Sequence, residues 1–288
     1  MLNCSQFTIH RFKRYIKNYD EPINLYVFGD VHRFAKGCSV EKWHAFLDVA
    51  RHDKNALFLG MGDYDDMAST SERAILINPG LHDDTRWSID DIYENRIKEF
   101  AKEISFMRNN IIGLIEGNHY GIFSTGGMTT TQYLCNHMRC FYLGVNGFVR
   151  LSFSQIKRPN SRFSIDIFAH HGRGAARLIG SSLNNVEQMV STAEADIYCM
   201  GHDHKLNAAK ISRLHLVNGG DKLQLKDKTM LLARSGSFLR GYIPDHQSYV
   251  VRGAMKPAEI GYLKITLTPQ RIKKANKESY NVKIEVTL

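Results

Sequence analysis

Five short apolar runs, each broken by glycine or histidine and a burst of polar residues, limit what this chain can fold into. Ile23 to Phe28 leads into Gly29-Asp30-Val31-His32, and Ala56 to Met61 into Gly62-Asp63-Tyr64-Asp65-Asp66. Ile111 to Ile115 precedes Gly117-Asn118-His119, Phe163 to Ala169 precedes His170-His171-Gly172, and Ile197 to Met200 precedes Gly201-His202-Asp203-His204. Runs of this length, rich in β-branched and aromatic residues, predict buried strands. In an open α/β sheet, catalytic groups gather beyond the carboxyl ends of the strands. Five such ends bring carboxylate, imidazole and amide groups to one rim. Within the clusters, Asp30 and His32, and likewise His202 and His204, are two residues apart, so an extended backbone points both to one side. Six of the thirteen histidines lie in these clusters.

The ordered set, GD-x-H, GD-x-x-D, GN-H, a histidine ending a strand, and GH-x-H, resembles the signature of the calcineurin-like metallophosphoesterase superfamily. It occupies residues 29 to 204, about three fifths of the chain. The resemblance implies a metallophosphoesterase-like α/β fold: a four-layer α/β/β/α sandwich with two mixed sheets flanked by helices. It implies one metal held by Asp30, His32, Asp63 and His204, and a second held by Asp63, Asn118, His202 and one histidine of the His170-His171 pair. The common family form of the fourth motif leans to His170; a His-Gly reading selects His171. His119 would assist the leaving group, with Asp66 as its buttress.

Chemistry favours the same ligand set. Borderline divalent ions accept mixed imidazole and carboxylate ligands, which suits two ions here, manganese first, with iron, zinc, nickel or cobalt as alternatives. Two ions about 4 Å apart can clamp the attacking and leaving oxygens of an in-line phosphoryl displacement, and a bridging hydroxide would be the nucleophile. The expected activity is hydrolysis of a phosphodiester in a nucleotide or nucleic acid. The alternatives are a phosphomonoesterase with a small substrate, and a catalytically silent nucleic-acid-binding or scaffold protein of the same fold. Two departures from the family pattern stand out. Tyr120 replaces the acid that commonly follows GN-H, and Met67-Ala68 replaces the Arg-Gly of the protein-phosphatase branch.

A net charge of +9 suits a polyanionic partner or a phosphate-ester substrate. No apolar stretch of eighteen residues and no secretory core after Met1 occur, and the five cysteines are scattered without CxxC spacing. These features predict a reduced, cytoplasmic protein with no membrane partner. Without a linker or repeat, one domain over residues 1–288 is expected. Residues 1–22 would be a basic extension, and residues 205–288 a β-rich part completing the second sheet.

Finer expectations follow from local pattern. Phe12, Tyr15, Ile16 and Tyr19 recur at helical steps and predict a short amphipathic helix. Residues 67–87 read as irregular, and Ser88 with Asp91 as the start of a helix. The Gly- and Thr-rich stretch 121–131 reads as a mobile lip beside the metals. Arg173 and Arg177 follow the histidine pair, and Arg173 is the candidate phosphate ligand. Short strands are expected over 214–217, 222–225, 230–233, 261–268 and 282–288, with a charge run at Arg271, Lys273, Lys274 and Lys277.

Overall fold

Alternating side chains along the strands divide the interior into three cores. The computed structural model describes residues 7–78, 80–155, 158–174, 178–218, 222–245, 248–254, 256–274 and 277–288. Its strands are β1 (Thr8–Ile16), β2 (Ile23–Phe28), β3 (Ala56–Gly60), β4 (Ile111–Leu114), β5 (Asn146–Gln155), β6 (Arg158–His170), β7 (Ile197–Met200), β8 (Leu206–Asn218), β9 (Leu223–Ser235), β10 (Leu263–Lys274) and β11 (Lys277–Thr287). They form two mixed sheets, ordered β1-β5-β6-β7-β9-β8 and β11-β10-β2-β3-β4. The helices are α1 (Val40–His52), α2 (Thr70–Leu76), α3 (Asp83–Glu103), α4 (Thr130–Met138), α5 (Ile179–Met189) and α6 (Tyr249–Arg252).

Leu25, Val27, Leu57 and Leu59 of one sheet meet Leu151, Ile167, Ile197 and Leu231 of the other in the central core. The intervening residues of β2 and β3, among them Tyr26, Phe28 and Phe58, point the opposite way, onto Trp43 and Phe46 of α1, Phe100 of α3 and Leu134 of α4. On the six-stranded sheet, Phe168, Tyr198 and Leu232 pack under Val186 and Met189 of α5. Both faces of each sheet are thus apolar where a neighbour covers them, which gives four layers. This is the α/β/β/α sandwich expected from the motifs. β2, β3 and β4 are mutually parallel, as are β6, β7 and β9, so their carboxyl ends open on one rim.

Several local expectations are corrected. Residues 8–16 form the edge strand β1, paired in parallel with β5, where a short helix was expected. Its burial alternates with period two: Phe12 packs on the central core, while Arg11, Lys13 and Tyr15 face outward. Residues 67–87 include α2, capped reciprocally by Ser69 and Glu72. That S-x-x-E pattern was present in the sequence. α3 begins at Asp83, placing Asp83 and Asp84 at its positive end, and Ser88 lies inside it, donating to the Asp84 carbonyl (2.8 Å). Ile92 is exposed, and Tyr93, Ile97, Phe100 and Ala101 form the buried stripe. The residues after 205 complete both sheets, not one. β8 and β9 extend the six-stranded sheet and β10 and β11 the five-stranded one, as long continuous strands. The basic run at 271–277 spans the β10–β11 hairpin, with Lys274 opposite Lys277.

Leu59 is fully buried between the sheets. Leu59→Ala should therefore lower unfolding free energy by about 2–5 kcal/mol in urea titrations, and a loss below about 1 kcal/mol would mean the two sheets can close over the gap.

Candidate metal centre

At the rim the backbone leaves its strands through conformations that side chains rarely adopt. Asp30, His32, Asp63, His202 and His204 all have positive φ, between 46° and 74°. Each such residue costs of order 1–3 kcal/mol unless its surroundings hold it. The holding bonds are visible. Asp30 N–H donates to Gly62 O (2.9 Å) and His32 N–H to Asp63 O (3.0 Å). The Asp30 carbonyl accepts from Phe238 N–H and from Ser237 Oγ, both at 2.9 Å. Two motif glycines are needed for room: a Cβ on Gly117 would fall 1.9 Å from Asp63 Oδ1, and one on Gly201 2.9 Å from Asp30 Oδ2.

Asp63 sits between two sets of side chains. Its Oδ1 accepts from the backbone N–H groups of Asn118 (2.7 Å) and His119 (2.9 Å). Its Oδ2 lies 3.3 Å from His171 Nε2 on one side and 3.8 Å from His32 Nε2 on the other. On the first side, Asn118 Oδ1 is 2.9 Å from His171 Nε2 and 2.8 Å from His202 Nδ1, and the two ring nitrogens are 3.3 Å apart. His171 Nδ1 is directed at the Met61 carbonyl (2.7 Å), an acceptor, so in the neutral ring Nε2 carries the lone pair. Lone pairs therefore converge on one point. On the second side, His204 Nε2 is 3.5 Å from Asp30 Oδ1, while Asp30 Oδ2 accepts from His202 N–H (2.9 Å). Asp30 Oδ1 and both ring nitrogens of His32 are buried without a hydrogen bond of good geometry.

Such a donor-poor arrangement costs free energy unless a cation enters it. Asp30, His32 and His204 can bring ligand atoms within 4.8 Å of one another, and so can Asp63, His171 and His202. Each group offers the mixed imidazole and carboxylate donors that a divalent ion accepts.

The electrostatics of His204, His202 and Asp63 agree with that chemistry, whereas His32 and His171, which face carboxylates, are raised. Burial, reinforced by the charge of His32, holds His204 well below the ordinary histidine range. Burial and the neighbouring His171 lower His202. Both rings are thereby kept in the neutral state a metal requires. Burial pushes Asp63 up, but His171 and His32 outweigh it and keep the carboxylate ionised. Burial likewise lowers His171, but the Asp63 carboxylate prevails and raises it to about 9. Asp30, wholly buried, is raised to about 7.

Of the histidine pair, the structure brings His171 into the cluster with Asp63 and His202 and leaves His170 outside it. In β6, Ile165, Ile167 and Ala169 face the central core while Phe168 faces α5. Alternation therefore turns His171 inward and His170 out, where His170 Nδ1 accepts from Gly172 N–H (2.7 Å). The polar residues Ser164 and Asp166 between the apolar ones were the signal for this parity. His119 stands at the mouth, its side chain 27% exposed, with Nδ1 2.5 Å from Asp66 Oδ1 in an ion-pair contact not aligned as a hydrogen bond. His119 and His32 together hold Asp66 below the usual carboxylate range. Arg173 is exposed and within electrostatic reach of His170, and Arg177 lies outside the described residues. The 121–131 stretch forms a tied turn: Ser124 N–H and Oγ donate to Asp90, and Thr129 caps α4 with Gln132.

Two buried arginines escaped the sequence reading. Arg73 donates to the carbonyls of Ala68, Asn118 and Tyr120 and lies 3.8 Å over the Tyr120 ring. Tyr120 thus helps brace the Asn118-His119 turn. Arg234 donates to Gly201 O (2.7 Å) and Ser182 O and pairs with Asp203 (3.2 Å), bracing the His202–His204 turn. Neither arginine sits in a local pattern that marks it.

The chain thus resembles the calcineurin-like metallophosphoesterases in the order of its motifs and in its two-sheet α/β fold. No protein-family model matches it, and no curated protein matches. Among solved structures it is similar to vacuolar protein sorting 29 from Cryptosporidium parvum, with 14% identity and a TM-score of 0.38 over 94% of this chain and 100% of that one. It is also similar to a conserved protein described as a predicted phosphoesterase from Streptococcus pneumoniae TIGR4, with 12% identity and a TM-score of 0.30 over 91% and 99% of the two chains.

Because Gly117 is packed against Asp63, Gly117→Ala should displace that carboxylate and lower the affinity for Mn²⁺ at least about tenfold in calorimetric titration. Undiminished binding of two equivalents would show that the glycine is not needed for the site.

Proposed function

We propose that this protein is a binuclear metal-dependent phosphoesterase that hydrolyses phosphodiesters. One observation carries the reading: Asp30, His32 and His204 gather on one side of Asp63 and His171 and His202 on the other, with Asp63 Oδ2 3.8 Å from His32 and 3.3 Å from His171. Asp30, His32, Asp63 and His204 would hold one ion, and Asp63, Asn118, His171 and His202 the other. Bound there, divalent ions, manganese by preference, supply Lewis acidity toward the phosphoryl oxygens and lower the pKa of water.

The chain's own residues supply the rest. Asp63 is fixed by the Asn118 and His119 amides, so its free oxygen keeps one direction while substrate binds. His119 has Nδ1 turned to Asp66, leaving Nε2 free at the mouth. A proton held on His119 Nε2 would pass to the departing alkoxide oxygen, with Asp66 offsetting the imidazolium charge. Arg173, exposed beside His170, is the candidate contact for a non-reacting phosphate oxygen. A diester, in a nucleotide or nucleic acid, is favoured by the +9 charge of the chain.

Turnover of bis(p-nitrophenyl) phosphate in Mn²⁺ should exceed that of p-nitrophenyl phosphate; the reverse order would assign a phosphomonoesterase. His119→Ala should lower kcat by about 10²–10⁴-fold while elemental analysis still finds the wild-type metal content. Loss of metal from that variant would make His119 a ligand. Asp63→Asn should lose both metal and turnover, and normal values for both would overturn the shared-ligand reading.

A further inference from the structure

The β8–β9 hairpin outruns the sandwich but keeps the pattern of a strand pair with a covered face. In the register Leu206↔Ser235 to Asn218↔Leu223, even residues of β8 and odd residues of β9 share one side. Near the base of the hairpin that side carries Leu206, Ala208, Leu231 and Ala233, all in or against the central core. Lys210, opposite Leu231, donates through Nζ to Ile284 O of β11 (2.7 Å), a hydrogen bond across the two sheets. A cleft of about 620 Å³ follows, with Thr229, Asp227 and Tyr280 in its walls. Further out, the same side carries Leu214, Leu216, Leu223 and Leu225, which are 67%, 66%, 69% and 62% exposed.

A two-stranded ribbon alone is marginally stable in water, and one that displays four leucines on a single side is suited to being covered. Charge selects the cover. The cations Arg213, Lys226 and Lys228 alternate onto the reverse side, and the charged residue among the leucines is Asp227. An anionic lipid surface or a nucleic acid would find its countercharges facing away. A second ribbon of the same kind meets no such conflict, because two leucine sides can close on each other while both cationic sides face water. The contact is self-complementary, as a two-fold interface requires. Each ribbon side, with its margins, offers on the order of 400–500 Å², so a pair removes on the order of 1,000 Å², the lower range of specific interfaces.

We propose that this chain forms a two-fold dimer in which the leucine sides of the β8–β9 hairpins from two copies pack face to face. The inference is independent of the reading of the metal centre.

Sedimentation velocity of the full chain from roughly 1 to 100 µM should show a concentration-dependent monomer–dimer equilibrium that added salt does not weaken. The double variant Leu216→Glu/Leu225→Glu should raise the dimer dissociation constant by about 100-fold, with the far-UV circular dichroism spectrum unchanged. Should that variant fold poorly, Leu223→Ser near the ribbon's end should still raise the constant at least about threefold. A wild-type chain that stays monomeric throughout, or dimers equally strong in these variants, would overturn the proposal. So would a monomer that cofloats with phosphatidylglycerol vesicles, which would give the leucines a lipid cover.

Discussion

The position of one carboxylate governs the arrangement at the rim. Asp63 is buried, its backbone is left-handed, and one oxygen is occupied by two amides of the Asn118 turn. The other oxygen is left for the two imidazole groups on either side. If Asp63 turned away, the His171–His202 cluster would keep no carboxylate, and the cluster of Asp30, His32 and His204 would keep only Asp30. The close packing of Gly117 and the bond from His32 to the Asp63 carbonyl serve to keep that carboxylate in place.

Holding such a centre needs support from beyond the motifs. Five left-handed residues in one rim store strain, and strain persists only where neighbours over-determine the backbone. Here the neighbours are distant in sequence. Ser237 and Phe238 hold Asp30, Arg234 holds the turn at Gly201, and Arg73 holds the turn at Asn118. Both arginines are buried and spend their hydrogens on carbonyls, which fixes turns that have no repeating backbone bonds of their own. The sandwich supplies the platform: parallel strands from both sheets end at one rim, and fully packed cores beneath limit how far their ends can shift.

Legibility followed the range of the interaction. The strands β2, β3, β4 and β7 were readable because their apolar runs are buried on both sides, and the polar clusters after them were readable because they interrupt those runs. His171 was readable in principle from the alternation of Ser164 and Asp166 with Ile165, Ile167 and Ala169, and the capping pair Ser69–Glu72 announced α2. β1 was not: its pattern of aromatic and basic residues fits either period, and what makes it a strand is pairing with β5, more than 130 residues away. The same applies to β8 and β9, whose outer halves look like short polar strands until their cross-strand register is known.

The sequence by itself determined the chemistry on offer: the supply of imidazoles, carboxylates and an amide, their order, and their places at strand ends, all set by local pattern. Tertiary structure decided which lone pairs meet. It turned His171 inward, recruited Arg73 and Arg234, and left the leucines of the β8–β9 hairpin uncovered among the described residues. The reason is physical: strand periodicity is carried by neighbouring residues, whereas convergence and cover depend on contacts between segments whose separation along the chain carries no local trace.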